Sequence, residues 1–162
     1  RLNSGVAVIR VGGSTEVEMI EKKHRIEDAL EAVRAAQEEG VVSGGGCALA
    51  RAAKKMVVTT VGDSMDFHPD QMSGVNIVMT ACQEPLRQMA LNSGESPDLI
   101  IAEVLSANAP IGWDFRRGKA VNLIDKGIID PVKVTRTALQ NAASCAGTLL
   151  TTNFGIIQRE EG

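Results

Sequence analysis

Tyrosine is absent from the 162-residue sequence, and one Trp and three Phe are the only other aromatic side chains. A core without large rings must be filled by Ala, Val, Ile, Leu and Met, which favours packed helices. Cysteine is scarce too. Cys47, Cys82 and Cys145 are far apart, and no CxxC or Cys/His spacing occurs, so neither a disulfide framework nor a zinc site is expected. Each thiol lies among apolar or small residues and is expected to be buried. His24 and His68 stand alone and suit no catalytic pair. No apolar run approaches the roughly 20 residues that cross a bilayer, and Arg1–Arg10 lacks the apolar centre of a secretory signal. The net charge of −3 comes from interleaved acids and bases with no basic stripe, which argues against nucleic acid as a main partner, as the short apolar runs do against a membrane. A soluble, reducing compartment is expected. The phosphate-cradling pattern G-x-x-x-x-G-K-[ST] is also missing.

The organising stretch runs from Lys22 to Cys47, KKHRIEDALEAVRAAQEEGVVSGGGC. A helix is expected from Thr15, whose hydroxyl can accept the Glu18 amide while Glu18 reaches back. Good helix formers continue to Glu39, and Gly40 can take the left-handed conformation that closes a helix. Val17, Ile20, Ala29, Leu30, Val33 and Ala36 form the stripe expected to pack. Glu21, Arg25, Asp28 and Glu31 belong to the wet side. The glycine triplet Gly44–Gly46 has no side chains to pack, so its cost in chain entropy calls for a tight turn or a close backbone approach.

Elsewhere the β-branched run Gly5–Val11 reads as a strand. A short Ala-rich helix is expected over Cys47–Met56, with Val57–Pro69 as an irregular crossing. A helix from Asp70 should kink or restart at Pro85 and stop at Ser93-Gly94. Ser96 and Pro97 open another. Asn108–Val121 is irregular, with a turn or short hairpin around Trp113–Phe115. A brief helix spans Asn122–Lys126, and Asp130 is expected to cap the last long helix, with Pro131 in its first turn. The tail from Thr151 to Gln158 is strand-like, and two lone strands rarely make a sheet, so its partner is expected outside this chain.

The segment EVEMIEKKHRIEDALEAVRAAQEEGVVSGGGCAL resembles the group I chaperonins, the GroEL-like ring ATPases. The likeness extends from GVAVIRVG through EPLRQMALNSGESP to GIIDPVKVTRTALQNAASCAGTLLTTN. It spans nearly the whole chain and implies the carboxy-terminal third of a family subunit. The fold then implied is mainly α: an equatorial-domain-like helical bundle with short strands at the amino and carboxy ends. Residues 1–39 would be an intermediate-domain strand and helix, and 40–162 the second half of the ATP-binding equatorial domain.

Taken alone, an Asp on the charged side of a helix is a solvated residue. The resemblance gives Asp28, in the intact run Arg25-Ile26-Glu27-Asp28-Ala29-Leu30, the role of positioning the water that attacks the terminal phosphate, a recurring part of phosphoryl transfer. Asp28 precedes Gly40 by about 18 Å of helix, so the helix must lie across the nucleotide or swing onto it. Gly45 matches the loop glycine whose backbone touches the nucleotide. Asp130, beyond its expected cap, matches the ribose contact. Asp114, Phe115 and Arg116 occupy the adenine-contacting turn, where Asp114 keeps the pattern and the bulky Phe115 and Arg116 depart from it. The resemblance further implies ATP with Mg2+, whose phosphate and metal ligands would lie outside this chain. Its expected partners are ring subunits, a co-chaperonin and unfolded client proteins. The setting would be bacterial cytoplasm, with the mitochondrial matrix as alternative. The isolated chain should be inactive. The rival expectations are a truncated or divergent paralogue serving as an assembly module without ATPase activity, and an unrelated nucleotide-sensing helical domain.

Overall fold

A computed structural model describes residues 5–62 and 68–156, with backbone alone at 57–62. The fold is mainly α, as expected: six helices and four strands of three or four residues lie among the described residues. The first helix, α1, spans Glu16–Glu39. Thr15 Oγ1 accepts the Glu18 amide at 3.2 Å, and Glu18 reaches back to the amide of Ser14 at 2.8 Å, one residue before the expected target. Exposed ion pairs at i,i+4 join Lys22 to Glu18 and Arg25 to Glu21 and support the helix locally. Gly40, at φ 82°, ends the helix and donates its amide to Ala36 at 2.8 Å.

Strand β1, Val41–Ser43, follows at once and pairs antiparallel with β4, Ile129–Pro131. Between them lie α2 (Cys47–Gly62), α3 (Pro69–Ala81), α4 (Glu84–Asn92), α5 (Pro97–Ser106) and a hairpin of β2 (Ile111–Asp114) with β3 (Lys119–Asn122). The last helix, α6, is Val132–Leu150. The core is made by α2, α4, α5 and the turn after β3: Cys47, Ala50, Leu86, Ala90, Ile100, Ile101, Val104 and Leu123 are buried together, with Trp113 and Phe115 packed on them. Full burial of a Leu such as Leu86 or Leu123 contributes about 1.5–3 kcal/mol.

Several expectations are corrected. Helix α2 continues past Met56 to Gly62, through the stretch expected to be irregular. Residues 63–67 of that stretch lie outside the described residues. The differences in helix propensity that separate Val and Thr from Ala are small enough for an established helix to continue through them. The expected break at Pro85 is present: α3 ends at Ala81 and α4 restarts at Glu84 with the proline in its first turn. His68 caps α3 through Nδ1, which accepts the Asp70 amide at 3.4 Å. The stretch expected as a helix over Asn122–Lys126 is instead the end of β3 followed by a turn, because Asn122 Oδ1 accepts the amides of Ile124 and Asp125 and offers the backbone a non-helical alternative. Gly5–Val11 joins no ladder, and neither do residues 152–156 of the tail. The stripe on α1 is largely uncovered: Ala36 is half-buried, but the helix has no fully buried residue, and Val33 is 56% exposed. Cys47 and Cys82 are buried, whereas Cys145 is exposed because α6 also buries no residue.

Candidate functional site

The expected nucleotide-contacting positions gather where β1 hands over to α2. The register sets Val42 opposite Asp130, and the ladder is extended by Gly44 N–H donating to Ile128 O at 3.0 Å. Each glycine of the triplet meets a different demand. A Cβ on Gly44 would lie 3.2 Å from the backbone of Ile128 and Ile129, and one on Gly46 would lie 2.8 Å from the Leu86 nitrogen. Gly46 also has φ +72°, so the close approach of the loop to α4 excludes any side chain twice over. Gly45 differs. At φ +66° it turns the chain, and among the described residues a Cβ there would meet nothing closer than Trp113 O at 4.0 Å.

Below the loop, Cys47 opens α2 and its thiol approaches Gly45 O at 3.7 Å. Burial pushes the Cys47 thiol pKa up. A hydrogen bond with the Trp113 backbone and the charge of Arg51 oppose that rise, while the charge of Asp130 adds to it. Cys47 is therefore a packed, protonated thiol around which the glycine loop, the hairpin and β4 meet. Gly112 lets the hairpin come this close, since a Cβ there would lie 2.5 Å from Leu123 Cδ1 and 2.8 Å from Cys47 Sγ.

Asp114 is 3% exposed. Its Oδ1 accepts the amides of Arg116 at 3.0 Å and Arg117 at 3.3 Å, and its Oδ2 pairs with Arg117 Nη1 at 2.8 Å. Burial alone would raise its pKa. The Arg117 guanidinium and the two amides outweigh burial and hold the carboxyl below its ordinary value. The carboxylate is thus committed to building its own turn. Phe115 is half-buried against the core and Arg116 is exposed.

Asp130 does not cap α6, which corrects the expectation. It lies within β4, the capping position falls to Pro131, and no side chain caps the helix. The Asp130 side chain is half-buried and forms no hydrogen bond or ion pair among the described residues. Asp28 lies elsewhere. It is exposed on α1 and lines a groove of about 590 Å³ between α1 and α6, with Ala32, Ala35, Lys133 and Thr137. Farther down, Glu39 pairs with Arg136 at 2.6 Å, and Glu38 pairs with Lys133. The structure therefore brings Gly45, Asp130 and the start of the Trp113–Arg116 turn to one corner, and holds Asp28 apart along the helix. Sequence reasoning missed Cys47, Gly112 and Arg51 as parts of this corner, since their partners are remote in sequence.

Taken together, these features describe a mainly helical module with a corner where the glycine loop, the hairpin and β4 with its half-buried Asp130 meet. A sequence model of the TCP-1/cpn60 chaperonin family matches residues 1–160, and the chain belongs to that family. Its role is accordingly that of a chaperonin, a class of proteins that assemble and assist the folding of others.

Proposed function

We propose that this chain is the carboxy-terminal part of a group I, ring-forming chaperonin subunit and supplies one wall of an ATP pocket. Residues 1–39 are then an intermediate-domain segment and 40–162 the second half of the equatorial domain. The observation carrying this reading is the corner at the start of α2, where Gly45 offers bare backbone beside the Trp113 carbonyl and Asp130 holds an unengaged carboxylate one strand away. The corner fits a nucleotide's uncharged parts. Asp130 suits ribose hydroxyls, which donate to a carboxylate, and the backbone of the Trp113–Arg116 turn suits a base edge. Phe115 packs on the core, which in this reading keeps its bulk away from a base.

No group of three His, Cys, Asp or Glu side chains disposed to hold a metal occurs among the described residues. In this reading the magnesium and phosphate ligands belong to polypeptide outside the chain, and magnesium would neutralise phosphate charge. Asp28 orients the attacking water once α1 has swung towards the phosphates. ATP hydrolysis then drives the folding of clients in a ring with its co-chaperonin, in bacterial cytoplasm or mitochondrial matrix. The isolated chain, holding half a pocket, binds nucleotide weakly and does not hydrolyse it.

Calorimetric titration with ATP tests this reading on the chain alone and on the chain mixed with a polypeptide supplying the upstream equatorial half. Binding in the mixture only is expected. Binding in neither would favour the rival reading of an assembly module without ATPase activity. In the complete subunit, Asp28→Ala should leave ATP binding intact and abolish turnover; undiminished hydrolysis would remove Asp28 from the mechanism.

A further inference from the structure

We infer that Arg51 is the positioning residue that fixes the Ile111–Asn122 hairpin against the glycine corner, and so sets the width of the proposed base-binding side of the pocket. Arg51 lies one turn after Cys47 on α2 and its side chain is half-buried. One nitrogen, Nη2, donates to two carbonyls on different elements: Val104, in the last turn of α5, at 3.2 Å, and Ile111, the first residue of β2. Lys54, on the next turn of α2, donates to Leu105 O at 2.6 Å. Two cationic side chains of α2 thus satisfy carbonyls at the end of α5 that lack intrahelical partners, where the helix dipole also favours positive charge. Arg51 does more than Lys54, because it alone also reaches the hairpin.

The other guanidinium nitrogens show why this reach matters. Nε and Nη1 of Arg51 are buried without a hydrogen-bond partner among the described residues, and so is Nε1 of Trp113. Buried donors left unpaired are unfavourable. An aliphatic side chain would fill the space without that cost. What the guanidinium adds is a bridge of fixed geometry from α2 to both α5 and β2. The corner is built from the same two parts, since α2 begins at the glycine loop and β2 leads into the Trp113–Arg116 turn. Gly112 and Cys47 are in contact beneath the loop, so a hairpin released from Arg51 shifts where it faces Gly45.

The test substitutes Arg51→Met, which keeps the apolar stem, and Arg51→Lys, which keeps the charge and a nitrogen able to donate to both carbonyls but loses the planar guanidinium. Amide hydrogen exchange of the full chain reads the position directly. Exchange at hairpin amides 111–122 should quicken by about tenfold or more in R51M and by less in R51K, with α1 and α6 unchanged. Unaltered hairpin exchange in R51M overturns the inference. If R51M does not fold, R51K decides by the same comparison with wild type.

The ligand arm rests on the nucleotide reading above and uses the chain mixed with the upstream half. R51M should weaken ATP by about tenfold, equivalent to about 1.4 kcal/mol, and leave inorganic tripolyphosphate binding unchanged. Equal losses for both ligands would overturn the assignment of Arg51 to the base side. Absence of ATP binding in the wild-type mixture would instead overturn the nucleotide reading, with hairpin exchange still deciding whether Arg51 fixes the hairpin.

Discussion

Leu86 in α4 and Val33 in α1 are both aliphatic residues on helices, yet one is fully buried and the other 56% exposed. The contrast extends to whole regions. Helices α2, α4 and α5 enclose a core with the hairpin, whereas α1 and α6 bury none of their residues and leave Val17, Leu149 and Leu150 open. The packed half closes around Leu86, Cys47 and Leu123, while α1 and α6 meet along an open groove beside which Glu38 pairs with Lys133 and Glu39 with Arg136. In a family that works as assemblies, bare apolar faces of this extent have an evident use.

The comparison can be broken most directly by truncating one residue in each region. Leu86→Ala should destabilise the chain by about 2–5 kcal/mol in urea unfolding. Val33→Ala should change it by about 0.5 kcal/mol or less. Equal losses would show that α1 is covered and that the distinction fails. Gly112→Ala ranks next, at about 1–3 kcal/mol, since its methyl group would intrude on Leu123 and Cys47. Thiol titration should then detect Cys47 as well as the exposed Cys145; a wild-type pattern would mean the corner yields without opening.

Asp114 sharpens the comparison through pH. Its carboxyl is held below the ordinary value in the folded chain, so its contribution is present above the unfolded pKa and is lost as pH falls through the folded one. Asp114→Asn should therefore lower stability at pH 7, and the gap to wild type should close as the solution is acidified below about pH 4. A gap that persists at low pH would assign the effect to shape instead of charge. The smallest effect belongs to the other half. Arg136→Ala should loosen α1 from α6 at low ionic strength and do almost nothing at 1 M salt, where the Debye length is about 3 Å. A salt-independent change would show that Arg136 acts through packing of its stem.

Much of the helical order was legible locally. Thr15 with Glu18, Gly40, Pro85 and Pro97 are start and stop signals whose chemistry is complete within a few residues, and all four mark real boundaries. Where a partner lay far along the chain, local reading failed. The Asp-Pro pair at 130–131 looks like a helix opening, but pairing with Val41–Val42 drew both residues into β4. Asn122 followed its own side chain into a turn. The stripe on α1 and Cys145 were assigned to the interior from their apolar surroundings in sequence, and among the described residues neither α1 nor α6 buries a residue. At the corner, the glycine triplet announced a backbone constraint without revealing that Gly46 is pressed on α4 and Gly45 is left open. Nothing near Arg51 in the sequence indicates two carbonyls more than fifty residues away.

The three-pair ladder of β1 and β4 has a mechanical consequence. Helix α1 enters at Val41 and α6 leaves after Pro131, and those two residues face each other at the same end of the ladder, with Val132 N–H bonded to Gly40 O just beyond. Tension drawing the two helices apart therefore falls first on that end and peels the rungs in sequence, instead of loading them together in shear. The ladder works as a zip fastener at the neck of a closed loop, so a pull on either arm is spent there before it reaches the core.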